Sequence, residues 1–442
     1  MTRPYWNRAL ETMPRERLEK MQARMLREVV ERAYRKSIFY RDLYRDAGIM
    51  PSDIRTLEDV RKLPFVDKAA IASTYPFGMR MCDQAKVRSL HAATTTTRHI
   101  VPIFATALDL DHWAERCARI LWMVGLRPGD FLQNAFRFGL STGGVGFHLG
   151  AKRAGIISIP ASTGGTDRQI DMIMDLGVQG IAMMPSYALY LGLRAQERGI
   201  DLAGESSLKV GLFGAEPTSV RMKRRLAELL GLEAFGEYGM NEFLGPGMAC
   251  QCAVKHGMHA WADHYLVECI DPATGEPMAE GEPGELVWTW LNAEGTAVIR
   301  YRSHDLSEVT WEPCPCGRTH PRVRRISGRN DGALSIGGYI VYPSKIAHVM
   351  ELFPEVGTFQ VILDSVKGLD CFTIMVEPEK GAEVDPVRLA GRLQSAVKSY
   401  VVCTPMVHVV PRGSLGLVGA DPPYRIIDYR RSSGRYGGAE GE

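Results

Sequence analysis

The sequence predicts an α/β chain in two parts, a large N-terminal unit built around a parallel sheet and a small C-terminal α+β unit. Three observations carry this. Between about residues 120 and 330, short β-rich runs (GIISIPA, GIAMMPS, LKVGLFGA) alternate with helical stretches (RQIDMIMDL, SVRMKRRLAELLGL), the rhythm of a parallel sheet with helices on its faces. From Gly328 to Ile346, GRNDGALSIGGYIVYPSKI sets Asp331 beside Gly332, follows with the Gly337-Gly338 pair, and restarts a helix at Ser344 after Pro343. Paired glycines free the backbone and proline pre-sets a first helical turn, so the stretch reads as a hinge. Beyond it, TFQVILD and FTIMVEP are strands around a helix led by Pro386, an α+β unit of about 100 residues.

Taken in chain order, residues 15–36 repeat apolar side chains (Leu18, Met21, Met25, Val29, Ala33) at helical spacing, with Arg24, Arg27, Arg32 and Arg35 between them on a solvated face. Met172, Met174, Met183 and Met184 read as core packing. The run HYLVECIDPATGEPMAEGEPGELVWTWL reads as strands joined by Pro-Gly turns, part of a β-rich subdomain over about 250–325. The end, SSGRYGGAEGE, is expected to be disordered. At 442 residues the chain is too long for one core. A formal charge of +2 gives no electrostatic case for nucleic acid or an anionic membrane. No segment approaches the roughly 18 apolar residues of a membrane span, so a cytoplasmic protein is expected.

Nine cysteines are an odd, uneven set, with Cys250, Cys252, Cys314 and Cys316 in two tight pairs. This points to metal rather than a disulfide framework. Cys252 and His259 are spaced Cys-x6-His, and CysProCysGlyArg at 314–318 puts two thiols on one turn. These four ligands suit a closed tetrahedral zinc site, structural because no position is left open. Buried free cysteines are the competing reading, and Cys250, His256, His264 and His320 are alternative ligands.

The hinge stretch resembles that of the adenylate-forming acyl ligases, specifically their phenylacetate-coenzyme A ligase branch. The resemblance extends along the chain: TyrGlyMetAsnGlu at 238–242, GlyAlaGluPro at 214–217, TyrArgSerHisAspLeu at 301–306, SerThrGlyGlyValGlyPheHisLeuGlyAla at 141–151 and MetProSerTyr at 184–187 all match. It implies the two-domain adenylate-forming fold, with an N-terminal AMP-binding domain (1–330), a C-terminal lid (331–430) that rotates about Asp331, and a tail (431–442). It also implies roles. Tyr238 and Gly239 with Gly214, Ala215 and Glu216 would face adenine, Asp305 the ribose, Arg329 the nucleotide, and Glu242 the magnesium side. Phe136, Arg137, Phe138, Ser141 and Tyr187 would line the acyl pocket, with the phenylalanines flanking an aromatic acid. Some members carry a structural zinc at a matching C-x4-G-x-H and CPCGR pair.

Two departures bear on activity. The family's phosphate loop reads Ser-Ser-Gly-Thr-Thr-Gly-Lys-Pro, whereas this chain has Ala93-Thr94-Thr95-Thr96-Thr97-Arg98-His99-Ile100. Thr94, Thr96 and Thr97 keep hydroxyls and Arg98 with His99 are the only stand-ins for the lysine, but β-branched residues resist the positive φ such a loop needs. A threonine-lined turn that binds no phosphate is the alternative. The second loss is the family's C-terminal lysine, ahead of a strand matched here by ArgIleIleAsp at 425–428. Asp421 or Pro422 holds its place, and no lysine follows Lys398.

These features lead to an enzyme acting on an activated, aromatic carboxylate, with transfer to coenzyme A or another thiol or amine and with impaired ATP-dependent adenylation. AMP is expected to bind better than ATP-Mg. An ATP-independent acyl transfer, condensation or cyclisation is the second reading, and a non-catalytic ligand-binding protein the third. The partners implied are small molecules, and a homodimer is left open.

Overall fold

The computed structural model describes residues 4–94, 100–216, 218–366, 369–401, 403–417 and 424–430. Thr96, Thr97, Arg98, His99, Asp421, Pro422 and the tail from 431 lie outside the described residues, as does the side chain of Thr94.

Helix α1 spans Arg15–Lys36, as its periodicity predicts. Its buried stripe is Leu18, Gln22, Leu26, Val29, Val30 and Ala33, so Met21 and Met25 flank the core instead of filling it. Arg24, Arg27 and Arg35 are exposed, while Arg32 donates to the Ala293 carbonyl at 2.6 Å. A hairpin follows: β1 (Val87–Thr94) pairs antiparallel with β2 (Ile100–Thr106), Thr94 opposite Ile100. Helix α2 (Ala107–Met123) opens with a capping box between Thr106 and Asp109.

The alternation predicted for the middle of the chain then appears: β3 (Phe131–Asn134), α3 (Gly143–Ala154), β4 (Ile157–Ile159), α4 (Thr166–Asp175), β5 (Gly180–Met183), α5 (Pro185–Glu197), β6 (Val210–Phe213), α6 (Val220–Leu230) and β7 (Glu233–Tyr238). Strands β4-β3-β5-β6-β7 are neighbours and parallel. Burial on both faces explains their continuous apolar runs. Met183 is fully buried and Met174 and Met184 pack against the same core.

The β-rich stretch after residue 248 divides between two sheets. β8 (Ala249–Gln251), β9 (Met258–Ala260), β13 (Val309–Thr310) and β14 (Arg322–Val323) extend the main sheet to nine strands among the described residues, in the order β13-β14-β9-β8-β7-β6-β5-β3-β4. β10 (Tyr265–Ile270), β11 (Gly284–Trp290), β12 (Tyr301–Ser307) and β15 (Gly328–Arg329) make a separate antiparallel sheet. Trp288 and Trp290 on β11 are fully buried, Trp288 against Tyr238 at the end of β7 and Trp290 under Arg116 of α2.

After the hinge come a small hairpin, β16 (Leu334–Ile336) and β17 (Tyr339–Val341), then helix α7 (Pro343–Glu351) with proline at its first turn. The lid sheet runs β20 (Met406–Val409), β19 (Leu369–Pro378), β18 (Val356–Val366), β21 (Tyr424–Asp428), covered by α8 (Pro386–Val401). Its own core includes Ile346, Val361, Ile374 and Leu393, all fully buried. Apolar side chains at 389, 393, 397 and 401 seat α8 on that sheet by helical spacing. Among the described residues, no helix is long and apolar enough to cross a membrane.

Candidate functional site

In a parallel sheet, ligands gather at the carboxyl ends of the strands. The loops after β3, β5, β6 and β7 hold most of the residues singled out from sequence. After β6, Gly214 leads into Ala215, whose φ of +65° is unusual for a residue with a side chain. A Cβ at Gly214 would collide with the Glu237 carboxylate and crowd the Glu237 carbonyl at 3.1 Å, so this close crossing of β6 and β7 favours glycine. Glu216 ties this loop to the start of α5: its Oε1 accepts from the Ser186 hydroxyl at 2.8 Å and its Oε2 from the Ser186 amide at 3.2 Å.

Beyond β7, the Tyr238 ring stacks on Trp288 with centroids 5.6 Å apart, and its hydroxyl donates to Asp305 Oδ2 at 2.7 Å. One ring face is therefore taken by the core. Asp305 Oδ1 accepts from Arg329 Nη1 at 2.6 Å, and the same guanidinium reaches Asp331 Oδ2 at 2.7 Å. Arg329 thus joins the carboxylate on β12 to the hinge aspartate. Burial pushes the Asp305 carboxyl above its usual range, and the Arg329 and Tyr238 hydrogen bonds only partly offset this.

Glu242 is buried, and its Oε1 meets Lys68 Nζ at 3.0 Å and the Tyr301 hydroxyl at 3.2 Å. Burial is the largest influence and opposes its ionisation, but the charge of Lys68 and the hydrogen bonds to the carboxylate, from Lys68 and Tyr301 among others, together exceed it, and the carboxyl sits below its ordinary value. Lys68 escaped sequence reasoning because a lone lysine in PheValAspLys has no spacing signal. Its position comes from tertiary pairing: Val66 forms a parallel bridge with Tyr301, its amide donating to the Arg300 carbonyl and its carbonyl accepting from the Arg302 amide. That stitch carries Lys68 to Glu242.

The acyl-side residues are only partly brought together. Phe136 is 6% exposed and stacks on Phe147 at 5.9 Å inside the main core. Phe138 is half-buried, edge-on to His148 at 6.1 Å and packed over Gly144. The pair that sequence set on either side of one ring is split, because β3 ends at Asn134 and the irregular backbone beyond it no longer keeps residues two apart on one face. Tyr187 bonds Thr166 Oγ1 at 3.2 Å and leans on Tyr190. Ser141 is half-buried, next to Thr142, whose hydroxyl is 2.5 Å from Asn241 Oδ1 and so links the loops after β3 and β7.

The lid closes on these loops. Arg137 lies over the Tyr339 ring at 5.2 Å, and a Cβ on Gly338 (φ +76°) would strike the Met184 sulfur and approach Ala215. The turn is held from behind, where Gly337 N donates to Asp370 Oδ2 at 2.8 Å and the buried Arg430 pairs with Asp370 at 3.0 Å and Asp428 at 2.8 Å. Tyr342 and Lys345 follow within the same segment.

A second constellation lies apart from the cleft. The ligand atoms of Cys252, His259, Cys314 and Cys316 all fall within 4.8 Å of one another. Cys252 Sγ and Cys314 Sγ are 3.7 Å apart, and Cys316 Sγ is 3.3 Å from His259 Nε2. A tetrahedron with zinc–sulfur bonds of about 2.3 Å has edges of about 3.8 Å, so the spacing suits zinc. His259 Nδ1 is 3.4 Å from the His320 carbonyl, which fixes the ring as an outer partner would. Two of the alternative ligands are engaged elsewhere: His320 accepts from Ala262 N and contacts Leu10 O, and His264 pairs with Asn292. The N-terminal segment straps this loop down. Tyr5 donates to Cys316 O at 2.9 Å, and Arg318 Nε meets Glu11 Oε2 at 2.7 Å in a buried pair.

Residues 338–430 match the AMP-binding enzyme C-terminal domain family. The phenylacetate-coenzyme A ligase of Thermus thermophilus is 37% identical over 440 residues, covering 96% of this chain and 99% of that protein. The chain belongs to the phenylacetate-coenzyme A ligase family. The Escherichia coli phenylacetate-coenzyme A ligase is 35% identical over 92% of this chain and 94% of its own length. As a member of that family the chain has the adenylate-forming two-domain fold. A crystal structure of 2-hydroxyisobutyryl-CoA ligase with 2-HIB-AMP and CoA in the thioesterification state superimposes with a TM-score of 0.91 at 26% identity, covering 98% of this chain and 94% of that one. The same ligase in its postadenylation state with 2-HIB-AMP gives 0.72 over 97% and 93%.

Proposed function

We propose that this ligase-family chain transfers an activated, aromatic acyl group to coenzyme A, and that its own ATP-dependent adenylation is slow. The observation that carries the reading is the seating of the lid, with Gly338 and Tyr339 against Met184, Ala215 and Arg137. The higher score against the thioesterification state than against the postadenylation state supports it. Phe138, Ser141 and Tyr187 would hold the aryl group, with Phe136 as backing. Gly214 to Glu216, Tyr238, Gly239, Asp305 and Arg329 would hold the adenosine, the ribose displacing one bond of Asp305.

Adenylation needs magnesium and a cation on the reacting carboxylate. Here Glu242, the family's magnesium-side residue, is already neutralised by Lys68, and the C-terminal lysine and both loop glycines are missing from the sequence. Withdrawing a cation from developing charge costs a few kcal/mol of barrier. Positioning a preformed acyl-adenylate against a thiol needs neither group. Single-turnover rates decide the matter. With coenzyme A present, an aryl acyl-adenylate should be consumed faster than free acid plus ATP-Mg. If the free acid with ATP is the faster input, a complete ligase is indicated; if both bind and neither reacts, the scaffold is a binding protein.

We further propose that Cys252, His259, Cys314 and Cys316 hold one zinc, which would cross-link the β8–β9 turn to the loop before β14. All nine cysteines are free thiols, which supports both the metal and a cytoplasmic setting. Protein purified without chelator should carry about one zinc per chain, and Cys316→Ser should lower both zinc content and melting temperature. A metal-free chain of full stability would remove the metal from the account.

A further inference from the structure

We propose that Lys345, on the lid, binds the phosphate of the adenylate in the closed arrangement and neutralises the charge that appears on AMP as it leaves. The proposal rests on the nucleotide reading above and adds to it a residue from the other domain. Lys345 is the third residue of α7, and its amide bonds to Tyr342 O at 3.0 Å. Tyr342 precedes the helix, with Lys68, Asp331, Arg329 and Glu242 acting on its phenol, so this first turn faces the Glu242 end of the cleft.

The other cations on this face have carboxylates. Lys68 has Glu242 at 3.0 Å, and Arg329 has Asp305 and Asp331 at 2.6 and 2.7 Å. Lys345 is half-buried, and among the described residues no carboxylate lies within ion-pair distance of it. Burial first, and then the like charge of Lys68, push its amine below the usual lysine range. The first turn of α7 contains no acidic residue, and a cation there works against the helix dipole. A half-buried amine opposed by burial, by Lys68 and by the helix end is unfavourable unless an anion joins it.

The transfer step supplies one. The coenzyme A sulfur attacks the acyl carbonyl carbon and a C–S bond forms. The bond from that carbon to the phosphate oxygen breaks, its electron pair goes to the phosphate, and the thiol proton passes to solvent. AMP thereby gains negative charge relative to the adenylate, and a lid cation that arrives with closure favours the step that creates it.

The test is calorimetric titration of the full chain with AMP and with adenosine, for wild type, Lys345→Ala, Lys345→Gln and Lys345→Arg. Wild type should prefer AMP. Lys345→Ala and Lys345→Gln should weaken AMP by about tenfold and leave adenosine unchanged, and Lys345→Arg should keep most of the AMP affinity. Unchanged AMP affinity in Lys345→Ala overturns the proposal, and so does a parallel loss of AMP and adenosine, which marks a structural role. A wild type that binds neither AMP nor adenosine overturns the nucleotide reading itself, and Lys345 with it.

Discussion

The side of the cleft proposed for adenosine presents carboxylates whose oxygens already have donors, Asp305 from Tyr238 and Arg329 and Glu216 from Ser186. The side proposed for phosphate presents amines drawn from separate parts of the chain, Lys68 from the N-terminal region and Lys345 from the lid. The first side is finished within the large domain, so its affinity should not depend on where the lid stands. On the proposed reading, the second is complete only with Lys345 of the lid in place. A ligand's nucleoside and its phosphate are then sensed by different states of the same protein, and experiments that separate them test the arrangement.

The largest effect is expected in ATP-pyrophosphate exchange with aryl acids, which should lie roughly two to three powers of ten below the ~10 per second typical of enzymes. Exchange at ordinary rates would mean that the phosphate side is complete after all.

Next is Glu237, an acid under the Gly214 crossing with no ion pair among the described residues. Burial raises its carboxyl from 4.5 to about 7, and the hydrogen bond from Gly247 N opposes this only in part. Between those two values the folded chain binds more protons than the unfolded one, so stability falls as pH rises from about 4.5 to about 7 and is level above. The whole change is about 3 kcal/mol at one and a third kcal/mol per pH unit. Glu237→Gln keeps the Gly247 bond and should flatten this slope, raising stability above pH 7. Denaturant unfolding at several pH values checks it, and identical slopes in both proteins would put the carboxyl in water rather than under the Gly214 crossing.

The smallest effect sharpens the comparison. Asp305→Ala should weaken AMP and adenosine alike, by roughly 1 to 3 kcal/mol, because it removes an acceptor for the ribose hydroxyls. If AMP alone suffers, the carboxylate is sensed through Arg329 and not through the sugar.

Much of the architecture was legible because it rests on local signals. The apolar spacing of α1, the alternation from β3 to β7, and Pro343 and Pro386 at helix starts each carry a physical instruction in a few neighbouring residues. The cysteine and histidine cluster was legible because few other roles concentrate soft ligands so tightly. What stayed hidden depends on distant pairing. Lys68 reaches Glu242 only through the Val66–Tyr301 bridge, and no feature near residue 68 announces it. Tyr238 gives one ring face to Trp288, fifty residues on in a different sheet. Phe136 and Phe138 look equivalent in sequence and differ in the fold, since side chains two apart part company once the strand has ended.

The buried pair between Glu11 and Arg318 spans 307 residues of sequence. A chain emerging from a ribosome at about 10 residues per second would therefore hold Glu11 without its guanidinium for roughly half a minute. Throughout that time Tyr5 also lacks Cys316 as its acceptor, and the parallel strands must find their order without the strap. Residues 4–12, made well before Arg318, are thus among the last to be secured, and a fusion partner that blocks them competes with the closing event rather than with the start of folding.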